Sequence, residues 1–284
     1  MTSLNKKTKV NIKDKLFKII AYTILITFFM IFVVPFIFAL ITSFTSPINI
    51  FDFSWIPNPI DIANYTKLFS EHQVIRALIN TFLYIIPPVF VGIFTSAMAA
   101  YAFAKLRFKG KNVVFYMLLS TMVIPGVITM IPSYVLFTNI YGWNGTPLPL
   151  IVPGMFGSAL TMFFFRQYFL TLPKELEEAA QIDGMHRFGI FTKIILPLSK
   201  PVIITQIILS LNGAYNDYLS PLLYVGNEPK LYTIQLLISG LQTSQNSPYT
   251  LMMAGAMVAL LPTLILFVFA QKYFIEGIVT TGLK

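Results

Sequence analysis

Long apolar runs alternate with short, mostly basic connections along the chain. A bilayer core takes about 20 apolar residues per helix. Residues 19–41 carry no formal charge, and residues 77–104 lie uncharged between Arg76 and Lys105. Residues 112–165 are also uncharged, which is too long for one helix. The segment Asn139-Ile140-Tyr141-Gly142-Trp143-Asn144-Gly145-Thr146-Pro147 punctuates that run into two spans, 113–137 and 148–168. A fifth span is predicted over 202–223, interrupted by polar Asn212, Asn216 and Asp217. A sixth covers 249–271, where Gly255 and Pro262 are tolerable because neighbouring helices satisfy the backbone. The runs are continuous rather than alternating, which argues against a β-barrel. The pattern predicts an all-α membrane protein with six transmembrane helices.

The basic residues set an expected orientation. Seventeen of the 20 Lys and Arg fall on one side of this topology. They are Lys6, Lys7, Lys9, Lys13, Lys15 and Lys18 in an N-terminal tail (1–18), Lys105 to Lys111 after the second span, Arg166 to Lys200 after the fourth, and Lys272 and Lys284. Lys67, Arg76 and Lys230 are left for the other side. Positive charge stays cytoplasmic, so both termini are expected inside a bacterial cytoplasmic membrane. The start resembles a secretory signal, but its apolar stretch exceeds the usual length and no small-residue cleavage pattern follows before Pro47. It is read as an uncleaved first span.

Composition narrows the function. Hydrophobic residues make up 56% and charged residues 11%, less than half the share of an ordinary soluble domain. A soluble enzyme, a disordered chain and a nucleic-acid-binding module are therefore excluded. The net charge of +9 changes nothing here, because the cations sit in short blocks between apolar runs. With no Cys, thiol catalysis and thiolate metal sites are absent. His72 and His186 lie in different segments.

The connection 172–200 carries the most information. Pro173 suits the first turn of a helix. Glu175, Glu177 and Glu178 then favour its N-terminus. Leu176, Ala179, Ala180 and Asp183 are expected to share one side, kept thin by the alanines. Gly184 is placed to end the helix with a positive φ. A second short helix, 186–195, would carry Phe188, Phe191, Ile194 and Ile195. Read from the residues alone, the stretch is equally well an amphipathic loop lying on the membrane.

Glu178-Ala179-Ala180, then Gly184, then Ile194-Ile195-Leu196-Pro197 resembles the cytoplasmic signature of binding-protein-dependent ABC importer permeases. The chain also resembles the carbohydrate branch, of the second maltose-permease subunit (MalG-like) type. The supporting pieces are Asn64-Tyr65, Asn80-Thr81, Ala99 to Gly110, Arg166-Gln167-Tyr168-Phe169, Asn216-Asp217-Tyr218-Leu219 with Pro221-Leu222, and Gln271-Lys272-Tyr273-Phe274 with Gly277. Two positions depart from the pattern. Tyr215 stands where a Trp is common before the Asn-Asp pair, and Gly142-Trp143-Asn144-Gly145-Thr146 replaces the usual outer-loop sequence.

The resemblance implies a type I importer (MetI-like) permease fold with coupling helices between spans four and five. It implies a second permease subunit forming a heterodimer, two ATPase subunits that bind ATP and Mg, and an extracellular solute-binding protein. This chain has no Gly-x-x-x-x-Gly-Lys-Ser/Thr run, so no cofactor is expected on it and no enzymatic activity of its own. Glu178, Ala179, Ala180, Asp183 and Gly184 would form the ATPase-coupling element.

Asn212, Tyr215, Asn216 and Asp217 are the candidate path or gate residues, with Asn80 a further costly polar group. The alternative is that they bind neighbouring helices together. Asn212 and Asn216, one turn apart, are expected to face the path or the partner permease, and Asp217 to fix the outer end of the span. A secondary transporter would need more ionisable groups within its spans than Asp217 and Arg166. Glycerol-phosphate or polyol uptake remains an alternative to sugar uptake, though the spans offer few cations for a phosphate.

Overall fold

The structure is a computed structural model of the chain, and it describes residues 12–46, 55, 57–243 and 248–282. Lys6, Lys7, Lys9, Lys284 and Pro47 lie outside the described residues. Among the described residues there is no strand, and the protein is all-α. Its residues divide into two compact units, one of 1–68 with 246–258 and one of 69–245 with 259–284.

In the first unit, α1 (Ile12–Ser43) is a long apolar helix whose hydrophobic side chains face outward, as Phe17, Phe29 and Phe32 do. Helix α2 (Ala63–Ser70) begins in the same unit. Its Asn64 is buried and donates to the carbonyls of Ser43 (3.1 Å) and Thr45 (3.0 Å), so the end of α1 is capped by a side-chain amide. Asn64 also accepts from the Thr250 hydroxyl at 3.1 Å. Tyr65 meets the Ser43 hydroxyl at 2.8 Å and packs on Phe44. Asn64-Tyr65 thus closes this unit. Helix α14 (Tyr249–Gly282) contributes its first residues here and the rest to the second unit.

The second unit is organised around α3 (Val74–Lys105), which packs against α6 (Leu148–Met155), α7 (Ala159–Thr171) and α11 (Lys200–Tyr215). The α3–α6–α7 crossing is close because it is built from small residues. A side chain at Gly92 would collide with the Gly154 carbonyl, and one at Gly157 (φ +85°) with Ser96 Oγ. Gly157 ends α6, and the backbone it frees is satisfied from α3. Thr95 donates to the Met155 carbonyl (2.9 Å) and Ser96 accepts from the Ser158 N–H (3.1 Å). A helix interrupted within an apolar layer needs this repair from its neighbour.

Among the described residues, four helices are long and apolar enough to cross a membrane singly, and two bent pairs raise that to six if each pair is one span. The structure here differs from the continuous spans expected from the pattern. Over 113–137 the chain forms α4 (Lys111–Ser120), a short 3₁₀ turn and α5 (Gly126–Val135), bent by 97°. Ile124 precedes Pro125 and is pushed into an extended conformation, which breaks the helix. Over 202–223 the helix α11 stops at Tyr215, and α12 (Leu219–Val225) restarts after a turn. At 16 residues α11 is about 24 Å long, shorter than a bilayer core. The polar run Asn216-Asp217 therefore terminates a helix instead of interrupting one.

Between α7 and α11 lie α8 (Glu175–Ile182), α9 (Arg187–Ile190), a π-helical turn and α10 (Leu196–Leu198). Beyond α12 a 3₁₀ turn (Pro229–Leu231) leads to α13 (Ile234–Thr243). The main core joins Val89, Ile93, Ala97 and Tyr101 of α3 to Phe165 and Phe169 of α7 and to Ile190, Phe191 and Ile195.

Candidate functional site

A cavity of about 780 Å³ opens beside α3 in the second unit, within the range of ordinary small-molecule sites. The α3 residues Thr81, Ile85, Pro88, Gly92 and Ser96 line it at three- and four-residue spacing, which is one face of a helix. Helices α5, α6 and α12 and the ends of α7 and α11 supply the other walls. The lining holds nine Ser and Thr residues, the tyrosines Tyr84, Tyr215 and Tyr224, and one carboxylate, Asp217. No Lys, Arg or His lines it among the described residues. Such a surface offers hydroxyls and ring faces to a neutral, hydroxyl-rich ligand, and nothing to neutralise an anion.

The four candidate path residues separate into two pairs. Tyr215 and Asp217 line the cavity. Tyr215 is 5% exposed, and its hydroxyl donates to the Ala259 carbonyl at 2.8 Å. Asp217 Oδ1 accepts from the Ser220 N–H at 3.2 Å and so caps α12. Asn212 and Asn216 do share a side, but it is an exposed one outside the cavity. The Asn216 side chain donates to the Asn212 carbonyl at 2.8 Å, which closes the end of α11. The pairs part because α11 ends at Tyr215 and the chain turns before Asp217. Asn80 is a structural tie, donating to the carbonyls of Lys230 (2.9 Å) and Tyr232 (3.1 Å). Thr81 accepts from the Ile234 N–H at 2.9 Å.

The coupling candidates lie on α8 and the turn after it. Glu178, Ala179 and Asp183 are exposed, while Ala180 is buried. The expected common side for Ala179 and Ala180 is therefore corrected. Adjacent residues stand about 100° apart on a helix, and the buried neighbour of Ala180 is Glu177, three positions earlier. Helix α8 begins at Glu175 rather than at Pro173. Gly184 has φ +79° with open space around it. Met185 N–H then donates to the Ala180 carbonyl at 2.9 Å, closing the C-terminus. The outward apolar side chains are Leu176, Ile182 and Phe188, of which Ile182 is 86% exposed.

Sequence reasoning missed one pair. Lys105, the last residue of α3, meets Glu177 with Nζ–Oε1 at 3.0 Å, the two side chains 6% and 7% exposed. Lys105 also donates to the Leu172 carbonyl at 2.8 Å, and the Tyr101 hydroxyl reaches Glu177 Oε2 at 3.4 Å. Two further cations crowd this end of α3. Lys111 donates to the carbonyls of Ala104 and Leu106, and Arg166 to that of Phe103 while lying over the Phe115 ring. Cations suit the carbonyl end of a helix. One glutamate of three in the first turn of α8 gives no sign in the sequence that it turns inward.

Residues 92–279 match the family model described as the inner membrane component of binding-protein-dependent transport systems. The arabinooligosaccharides transport system permease protein AraQ of Bacillus subtilis (strain 168) is 33% identical over 232 residues, covering 80% of each chain. The polygalacturonan/rhamnogalacturonan transport system permease protein YtcP of the same organism is 29% identical over 289 residues, covering 96% of this chain and 99% of that one. Among solved structures, a bacterial ABC transporter involved in the import of the acidic polysaccharide alginate has a chain that superposes with a TM-score of 0.83 at 22% identity, covering 96% of this chain and 100% of the other.

Proposed function

The chain belongs to the family of binding-protein-dependent transport system inner membrane components, and from that premise we propose that it is one permease half of an ATP-driven oligosaccharide importer. It is a transport subunit and not a catalytic enzyme. A solute-binding protein delivers the ligand, and ATPase subunits that hold ATP and Mg drive the cycle. A homologous second permease, as in a heterodimer of the maltose-permease type, supplies the other half of the path.

The observation that carries the reading is the cavity on α3, rich in hydroxyls and free of Lys, Arg and His among the described residues. It favours a neutral oligosaccharide over an acidic one, the class named for AraQ rather than for YtcP or the alginate transporter. Glycerol-phosphate fits it poorly for the same reason. Tyr215 and Asp217 then touch the ligand, while Asn212 and Asn216 face the partner permease or lipid.

The split of basic residues supports six spans, with the bent α4–α5 pair counted as one, the fifth beginning at α11, and both termini in the cytoplasm. The 172–200 connection then lies in the cytoplasm. Exposed Leu176, Ile182 and Phe188 fit a docking face for an ATPase subunit, flanked by Glu178, Ala179 and Asp183 and ended by Gly184.

The test is uptake by the complete importer in proteoliposomes, with its binding protein, of labelled arabino-oligosaccharide against oligogalacturonate. Uptake of the neutral sugar is expected, and of the acidic one not. Equal uptake of oligogalacturonate overturns the neutral reading, and ATP-independent uptake overturns the importer reading.

A further inference from the structure

We infer that the buried Lys105–Glu177 pair is the joint through which movement of α8 reaches the cavity wall. The inference rests on the reading that α8 seats on an ATPase subunit. Of the eight residues of α8 only Glu177 and Ala180 are buried. Ala180 offers one methyl group, a contact that can slide. Glu177 offers a carboxylate whose Oε1 is ion-paired with Lys105 at 3.0 Å without a hydrogen bond, and whose Oε2 accepts from the Tyr101 hydroxyl at 3.4 Å. Lys105 and Tyr101 are one turn apart, so the carboxylate grips the last turn of α3 at two points. Lys105 Nζ also holds the Leu172 carbonyl, where α7 ends, so three helices converge on one ammonium.

Helix α3 is continuous from this joint to the cavity, where Ser96, Gly92, Pro88, Ile85 and Thr81 form the wall. A displacement of α8 therefore acts on the end of one continuous helix whose other turns face the cavity, with Ser96 and Gly92 on the near side of Pro87 and Pro88. A buried ion pair is no general source of stability, since an apolar pair of like volume often serves as well. What charge adds is a specific partner: a buried carboxylate that moves off Lys105 is left unpaired, a cost that an apolar contact does not carry. Lys105, Glu177 and Tyr101 act as positioning residues, without contact to ligand or nucleotide.

The natural absence of Cys lets one reporter thiol be placed on the cavity wall as Ile85→Cys. The complete importer carrying it is treated with a water-soluble maleimide, either nucleotide-free or trapped with ATP and vanadate. In the parent complex the labelling rates are expected to differ by about fivefold or more, the lower range of ordinary coupling. The double variant Lys105→Met/Glu177→Leu removes both charges and leaves none unpaired. It is expected to assemble and hydrolyse ATP while the labelling ratio falls to about one. The swapped pair Lys105→Glu/Glu177→Lys is expected to recover part of the ratio, which a loss of packing alone would not predict. An apolar double variant that keeps the full ratio overturns the joint, as does an assembled swapped pair with no ratio when the apolar variant fails to assemble. No nucleotide dependence in the parent complex overturns the seating of α8 on an ATPase, and the joint with it.

Discussion

The two ends of α3 are fastened by opposite chemistry. At its start, Asn80, Thr81 and Tyr84 hold the 229–234 segment through four neutral hydrogen bonds, all of them to its backbone groups. At its end, Lys105 meets Glu177 across a buried ion pair. Between them the crossing with α6 and α7 uses glycines and hydroxyls, with no charge at all. Neutral bonds to backbone are each modest, about 1 kcal/mol, and fix shape. A buried charge is costly unless paired, so it fixes a partner. The shape-defining bonds surround the cavity, and the partner-defining bond sits where α8 joins.

Breaking the crossing should have the largest effect. Gly157→Val places a branched side chain at φ +85° against Ser96 Oγ, and the combined strain and overpacking are expected to cost more than about 3 kcal/mol. The measurement is the yield of monodisperse protein and its melting temperature in detergent. A wild-type melt would show that the α3–α6–α7 approach is looser than described.

Next comes the charged end. Glu177→Leu alone leaves Lys105 buried and unpaired, an expected loss of about 3 kcal/mol. The double change Lys105→Met/Glu177→Leu should recover most of that in the same melt. If the single and double variants melt alike, the pair is not the buried contact that the comparison requires.

The neutral end should give a smaller loss. Asn80→Ala removes two hydrogen bonds to carbonyls, an expected cost of about 1–2 kcal/mol. Faster hydrogen exchange confined to 229–234 is the predicted signature. Exchange spread evenly along α3 would erase the contrast between its ends.

Gly184→Val should cost no more stability than Asn80→Ala. The site is open, so only the backbone at φ +79° is strained, an expected cost of about 1–2 kcal/mol. Its effect should fall on co-purification of the ATPase subunit, with the membrane part unaltered. Normal co-purification and ATP hydrolysis would remove Gly184 from the docking face.

The apolar runs made α1, α3 and α14 legible, because a bilayer demands length and hydrophobicity that composition displays directly. Gly184 was legible too, since a glycine four positions past a helical alanine pair has few other uses. The break at Ile124-Pro125 was hidden in an uncharged run, where hydropathy is blind to direction. Asn80 read as a costly polar group, yet its partners are carbonyls 150 residues away, beyond the reach of any local pattern.

The sequence by itself determined that this chain is a multi-spanning helical membrane protein with a signature for binding to partners. Spacing and hydropathy are local properties, and solvent fixes their meaning. Only the tertiary structure decided which of Glu175, Glu177 and Glu178 turns inward, and which of Tyr215, Asn216 and Asp217 meets the cavity. Those choices depend on where a helix ends and what stands opposite, here Lys105 for Glu177 and the turn after Tyr215 for Asp217. Burial is decided by neighbours distant in the chain, so it becomes visible only once they are in place.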